Sequence, residues 1–336
     1  MTKKDIAVVI LNWNGKALLE KFLPSVIMHS EAAVIYVADN ASTDDSVSFL
    51  KTNYPSVKII QNQENGGYAK GYNDALKHVD EDILCLLNSD IEVTESWLEP
   101  IDSLFNTESE TAIIQPKILD YHHKDYFEYA GAGGGFIDKF GYPYCRGRIF
   151  NTIEKDLGQY DDITPIFWAS GACFFIRKSV FDKLNGFDES FFAHMEEIDL
   201  CWRAHNYGYT TKYVGTSTVY HVGGATLNTT NPKKTYLNFR NSLYTITKNA
   251  PGQLFLLIFT RLILDGFASL KFLTELKFAH IVAVLKAHGS FYTHFFQLLK
   301  KRQFLRNSIP RISNRKYYRT KSIIWLYFVR NRKEFR

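Results

Sequence analysis

The chain is poor in the features that assign a sequence quickly. Its four cysteines (Cys85, Cys145, Cys173, Cys201) show no CxxC or other metal-ligand spacing, which argues against a zinc module. Cys85 and Cys201 sit in apolar runs, where a reduced thiol behaves as a small hydrophobe, so a reducing, cytosolic compartment is expected. There is no GxxxxGK[ST] loop, no internal repeat and no low-complexity tract. Nor is there an unbroken run of the roughly 20 apolar residues that a spanning helix needs. The best candidate, LFLLIFTRLILDGFASLKFL (254–273), is interrupted by Arg261, Asp265 and Lys271. The start, MTKKDIAVVILNWNG, has lysines and a short apolar run but ends in Asn-Trp-Asn without a small-residue cleavage site. It reads as a first strand and not as a signal peptide.

Acid is scarce at one end. Residues 1–232 hold 19 Lys/Arg against 32 Asp/Glu, whereas residues 233–336 hold 21 against 3, so the two parts carry −13 and +18. With 46% hydrophobic and 22% charged residues the composition is globular, and the charge split points to two environments. The expected division is 1–235 and 236–336. The later part mixes bulky apolar and basic residues in KKRQFLR (300–306), IIWLYFV (323–329) and RNRK (330–333), a pattern suited to helices lying on an anionic membrane leaflet. A basic helical subdomain packed on the first domain is the plainer alternative, and nucleic acid is not expected as a partner.

What is present in the first part is alternation. Apolar runs at 6–11, 33–38, 57–60 and 83–87 are bounded by polar turns, with helix-compatible segments near 16–29, 43–52 and 68–79 between them. Such a pattern implies an α/β fold with a mostly parallel sheet covered on both faces. Ligands of such sheets bind outside the carboxyl ends of the strands, which here read NWNG (12–15), DNAST (39–43) and NSD (88–90). From about 119 to 165 the pattern weakens into a Gly- and Tyr-rich stretch of irregular loops or short antiparallel strands. Regularity returns at GACFFIR (171–177), a helix near 178–185, the turn NGFDE and a short strand before VYHVGG (219–224).

Several strand ends carry chemistry. Asp39 opens DNASTDDS and serves either as a cap for the following helix or as an acceptor for a nucleotide base or ribose. The glycines of NGGYAKGYN (65–73) make either a tight turn or a place where backbone approaches a ligand. Asp90, after a buried strand, can hold a divalent cation that bridges a diphosphate; His221 offers a nitrogen ligand or is simply a capped histidine. FFAHMEEIDLCWRAH (191–205) reads as a helix whose Asp199 and Arg203 form an i,i+4 pair, with Glu196 on the same face. Glu197 points elsewhere, has no basic partner at i+4, and is expected to be ionised at the ordinary glutamate pKa of about 4.3.

DNASTDDS, NGGYAKGYN, LNSD, SGACFFIRKSVF, GFDESFF, EEIDLCWR and YHVGGAT, in this order over residues 5 to about 250, resemble the family-2 glycosyltransferases, especially their rhamnosyltransferase and galactofuranosyltransferase-like branch. The resemblance implies a GT-A fold, a nucleotide-diphosphate sugar donor and transfer with inversion to a glycan or lipid-linked acceptor in surface polysaccharide synthesis. It implies Glu197 as catalytic base with Glu196, Asp199 and Arg203 in support. Asp90 and His221 would hold Mn²⁺ or Mg²⁺. Asn12, Asp39, Asn40, Asn65, Gly67, Gly71, Asn73 and Asn88 would surround the donor, and Trp168 and Gly171 would face the acceptor. Two departures stand out: Asn88 replaces the first Asp of the family's DxD, and Glu197 replaces the commoner Asp. The implied location is cytoplasmic and peripheral at the inner face of the cell membrane. The rival readings are a non-catalytic nucleotide-sugar scaffold at the membrane and a sugar-nucleotide pyrophosphorylase.

Overall fold

A computed structural model of the chain describes residues 5–223, 231–308 and 317–335. The last part of the YHVGGAT motif therefore lies outside the described residues. Among the described residues, thirteen strands appear in chain order: β1 (Ile6–Asn12), β2 (Ala33–Asp39), β3 (Lys58–Gln61), β4 (Ile83–Asn88), β5 (Ile91–Val93), β6 (Thr111–Asp120), β7 (Gly135–Ile137), β8 (Pro143–Cys145), β9 (Arg148–Ile149), β10 (Thr152–Ile153), β11 (Ile163–Ile166), β12 (Cys173–Arg177) and β13 (Thr210–His221). Nine helices accompany them: α1 (Lys16–His29), α2 (Ser46–Asn53), α3 (Gly67–Ala75), α4 (Glu99–Thr107), α5 (Lys178–Lys183), α6 (Glu196–Tyr207), α7 (Pro232–Asn249), α8 (Leu254–Thr274) and α9 (Phe278–Ser308).

The main sheet runs β11-β13-β6-β12-β4-β1-β2-β3, with β5 pairing β13. Strands β4, β1, β2 and β3 are parallel neighbours, and β12 runs antiparallel to β4 and β6. The apolar runs are continuous because both faces are covered: Ala7 and Val9 enter one core, Ile6, Val8 and Ile10 the other. The register sets Asn12 beside Asp39 and Leu11 beside Asn88, so these strands end on one edge. Antiparallel β12 starts at that same edge, with Cys173 opposite Leu87. The 119–165 stretch contains the four-stranded antiparallel sheet β10-β9-β8-β7.

The structure adds to the sequence reading at three places. The helix expected over 191–205 begins only at Glu196, because Phe192, His194 and Met195 adopt left-handed backbone that breaks it. Strand β6, wholly buried except at Asp120, crosses a region where Gln115, Pro116 and Lys117 interrupt the apolar pattern. Residues 323–329 are helical, ending in a π-helical turn over Trp325–Val329 that is tied down on one side: Tyr327 bonds Thr152 and packs on Phe150, and the amide of Ile323 donates to the buried Asp138 carboxylate, while Trp325, Phe328 and Val329 stay exposed.

Residues 232–308 fold as three helices against the sheet domain. Arg302 of α9 donates to the carbonyls of Thr247 and Ala250 and so caps the end of α7. Helices α8 and α9 form an antiparallel hairpin, with Phe255 against Phe295, Asp265 bonded to His288 and Phe272 against His280. Two of the three charges that interrupt the apolar run of α8, Arg261 and Asp265, point inward, whereas Lys271 is exposed. Arg261 Nε lies 2.9 Å from Asp265 Oδ1, both side chains are buried, and the guanidinium stacks on Tyr142, whose hydroxyl donates to Asp265. Replacing Asp265 by Ala leaves Arg261 buried without its counter-charge, so the expected cost is about 3–5 kcal/mol, measured as a lowered urea midpoint.

Candidate active site

One edge of the sheet gathers most of the residues singled out from the sequence. At the ends of β1 and β2, Asn12 donates to Asp39 Oδ2 at 3.1 Å and the Ser42 amide donates to Asp39 Oδ1 at 2.9 Å. Asp39 is buried and closes the 39–42 turn well before α2, whose N-cap is Asp45, so it does not cap that helix, but its carboxylate is fixed in place. Asn40 donates to Asn65 and to the Gly67 carbonyl, and Asn62 donates to Asn40. These amides shape the 65–73 turn. Gly67 has φ +76°, and a Cβ there would lie 2.5 Å from the Phe192 carbonyl, so glycine is needed both for the backbone and for the close approach. Gly71 likewise lies against Asn40 and Leu11. Asn73 faces away from this group: it exchanges hydrogen bonds with the backbone of Phe187 and donates to Glu189, holding the 186–189 turn.

Beyond β4 the chain brings Asp90 to His221. His221 Nε2 lies 3.2 Å from Asp90 Oδ1 and 3.5 Å from Asn88 Nδ2, and the pairing of β5 with β13 sets His221 opposite Ile91. On the other side of the ring, Nδ1 lies 3.4 Å from Glu128 Oε1. Burial alone would lower the imidazole pKa, but Glu128 and Asp90 outweigh it and lift it to about 10. Among the described residues no three His, Cys, Asp or Glu side chains converge on one point. Asp90 and His221 place one oxygen and one nitrogen donor side by side, and the imidazole could serve as a ligand only after losing the proton that Glu128 and Asp90 favour. Glu128 would orient the ring from behind, as a carboxylate does for many metal-bound histidines. Glu128 was missed in the sequence because it lies in the weakly patterned stretch and meets His221 only through the fold.

Next to this pair, the Asn88 amide donates to the Ala172 carbonyl, and Gly171 leads to the base of α6. Tyr68 Oη donates to the Gly171 carbonyl at 2.8 Å, and a Cβ on Gly171 would lie 3.8 Å from Glu197 Cβ. Glu197 thus sits on the first turn of α6 at the rim. Burial pushes its carboxyl up to about 7, against the pull of the helix-start amides, which corrects the expectation of an ordinary value. Glu196 is buried, and burial followed by the Glu197 charge raises it well above the usual carboxylate range. Trp168 is not at the rim: it is 3% exposed, and its indole donates to the Phe136 carbonyl inside the core.

The loop before α6 is held by groups that no spacing along the chain reveals. Asn241 of α7 directs its amide at the carbonyls of Phe191, Ala193 and His194, at 2.7–3.1 Å. Arg240 donates to Ser190 and Phe191. Asp199 accepts from Arg203 Nε at 2.8 Å, as expected, and also from Lys248 and Asn249 of α7. Lys248 reaches Asp188 at 2.6 Å, where Lys301 of α9 joins it. Burial works against both carboxylates, but these cations outweigh it and keep them ionised. Glu197 is thereby the one acid of the α6 turn left with neither a cation nor complete burial.

The sequence matches the family model described as Glycosyl transferase family 2 over residues 7–184. It is 26% identical over 235 residues to the N-acetylglucosaminyl-diphospho-decaprenol L-rhamnosyltransferase of Mycobacterium tuberculosis, covering 64% of this chain and 75% of that one. It is 25% identical over 209 residues to the low-salt glycan biosynthesis hexosyltransferase Agl10 of Haloferax volcanii (60% and 61%), and 23% identical over 224 residues to the rhamnosyltransferase WbbL of Escherichia coli K12 (62% and 80%). Among solved structures, GalNAc-T7 with UDP, GalNAc and Mn²⁺ aligns with a TM-score of 0.55 at 15% identity, over 74% of this chain and just under half (48%) of that one. The mannosyltransferase PcManGT from Pyrobaculum calidifontis, in complex with GDP-Man and Mn²⁺, aligns with a TM-score of 0.53 at 11% identity over 91% and 86%. At these identities the likeness to solved structures is one of fold, and the fold is the GT-A fold.

The raised Glu197 carboxyl has a thermodynamic signature. A folded-state pKa lifted from 4.5 to about 7 gives a contribution that is fully present below 4.5 and is lost as pH rises through 7. Unfolding midpoints of the native chain should therefore fall relative to those of Glu197→Gln between pH 4.5 and 7. Parallel curves would show an ordinary Glu197.

Proposed function

This chain belongs to glycosyl transferase family 2, and we propose that Glu197 is the general base of an inverting transfer from a nucleotide-diphosphate sugar to a hydroxyl of a lipid-linked glycan. The observation that carries this is the position of Glu197 at the rim, beside Gly171 and Tyr68, while Glu196 and Asp199 are enclosed. Glu197 takes the proton as the acceptor oxygen bonds to the anomeric carbon, and the bond from that carbon to the diphosphate breaks on the opposite face. A pKa of about 7 suits the task, because a base is most effective when poised near the working pH. Asp39 and the 65–73 turn receive the nucleotide, with Asn12, Asn40 and Asn65 holding that wall in shape.

Asp90 and, once neutral, His221 would hold a divalent cation, which would offset the charge gathering on the leaving diphosphate. Asn88 stands against His221, so here the imidazole takes the place that a further carboxylate has in a two-acid motif. The donor is a nucleotide-activated hexose, with rhamnose favoured by the names of two of the relatives. A lipid-linked acceptor fits the relative that acts on a decaprenol diphosphate, and it puts the enzyme at the inner face of the cell membrane as a peripheral protein. No helix among the described residues is long and apolar enough to cross a membrane.

The test is donor turnover over a panel of nucleotide sugars with Mn²⁺. Glu197→Gln should lower turnover roughly 10²–10⁴-fold with donor affinity nearly unchanged. A near-native rate for that variant would remove the assignment. Asp90→Ala should abolish the Mn²⁺-dependent part of the donor-induced thermal shift and His221→Ala should weaken it, whereas full activity in EDTA would refute the cation.

A further inference from the structure

Helix α8 has its polarity turned inside out. Its inner face carries Arg261 and Asp265, buried and paired, while the opposite face exposes Phe255 (72%), Phe259 (63%), Ile263, Phe267 (62%) and Leu270. These positions recur at intervals of three and four, so they form one stripe along the helix. A helix that exposes its apolar side and hides its charges is the reverse of what water selects. Its hairpin partner α9 repeats the pattern, exposing Phe278, Val282, Leu285, Tyr292 and Phe296 at helical spacing. Stripes of this length exceed the scattered exposed hydrophobics of an ordinary surface.

The charges that accompany the hairpin select its occupant. Between residues 254 and 308 the two acids are Asp265, which is buried, and Glu275, while Lys271, Lys277, Lys286, Lys300 and Arg306 are exposed. Glu275 pairs with Lys271 and Lys277, which leaves Lys286, Lys300 and Arg306 as the exposed excess, while Arg261, Lys301 and Arg302 are engaged with the rest of the protein. Two copies of this face brought together would oppose cations to cations, which disfavours self-pairing. An anionic lipid surface satisfies both the stripes and the cations. We propose that the outward face of the α8–α9 hairpin seats in the interfacial layer of an anionic bilayer, with the helices lying in its plane. Binding is therefore chiefly hydrophobic and only partly electrostatic, unlike the attachment through basic runs that the sequence suggests. The proposal deepens the reading of a lipid-linked acceptor and rests on it for its purpose, but its test does not depend on transfer.

The full chain is floated with vesicles of phosphatidylcholine and phosphatidylglycerol, and the donor-induced thermal shift is recorded in parallel. The native chain should bind and stay largely bound in high salt. Phe259→Gln with Phe267→Gln should weaken vesicle partitioning roughly tenfold or more per residue while the thermal shift is unchanged. Lys271→Gln with Lys286→Gln should give a smaller loss, evident only at low salt. Retention of vesicle binding by the double phenylalanine variant, or release of the native chain by salt alone, would overturn the proposal. So would a native dimer that this variant converts to a monomer, which would make the face a contact between copies. Loss of donor turnover with vesicle binding intact would instead count against the glycosyltransfer reading.

Discussion

Lysine 248 is the tie on which the arrangement of the site depends. Its ammonium lies between the carboxylates of Asp188 and Asp199, at 2.6 and 2.8 Å, in a place closed to water. Asp188 precedes the left-handed loop, Asp199 lies one turn into α6, and Lys248 ends α7, so a single buried cation fixes three elements. Arg203, Asn249 and Lys301 complete its surroundings. Buried charges of this kind add little net stability compared with a well-packed apolar substitute, but they admit only one geometry. Here the geometry obtained is the presentation of Glu197.

This arrangement changes how the chain is divided. A cut near residue 235 separates an acidic part from a basic one, and the charge count across it is correct. Yet Arg240, Asn241 and Lys248 lie beyond the cut and hold the loop before Glu197. The excess positive charge of the later part is spent partly on the carboxylates of the earlier one. Arg302 and Lys301, read in the sequence as part of a basic surface run, are likewise turned inward to the end of α7 and to Asp188.

What was legible in the sequence follows a simple rule of range. The strands β1, β2 and β4 were readable because burial on both faces leaves a continuous apolar run. The Asp199–Arg203 pair was readable because both partners lie on one helix. Strand β6 was hidden by Gln115, Pro116 and Lys117, each of which finds its place only through tertiary contacts. The partnership of Glu128 with His221 and the clamp by Asn241 join distant segments, so spacing carries no trace of them. Trp168 was misplaced for a related reason: an aromatic residue before the motif SGACFF suits a cleft wall or a core equally well. In α8 the period was visible, but a period does not say which side faces the protein, and two of the three interrupting charges, Arg261 and Asp265, proved to be the inner side.

The dependence of the 188–195 loop on α7 and α9 also bears on the order in which the protein comes into being. A growing chain emerges from its amino terminus, so the sheet strands that end at Asn12, Asp39 and Asn88 are available early. The segment bearing Glu197 follows, but Lys248 and then Lys301 are synthesised only later. Until they arrive, the nascent chain has the sheet edge without the fixed α6 turn that carries Glu197. The site is thus completed from the far end, by α7 and α9.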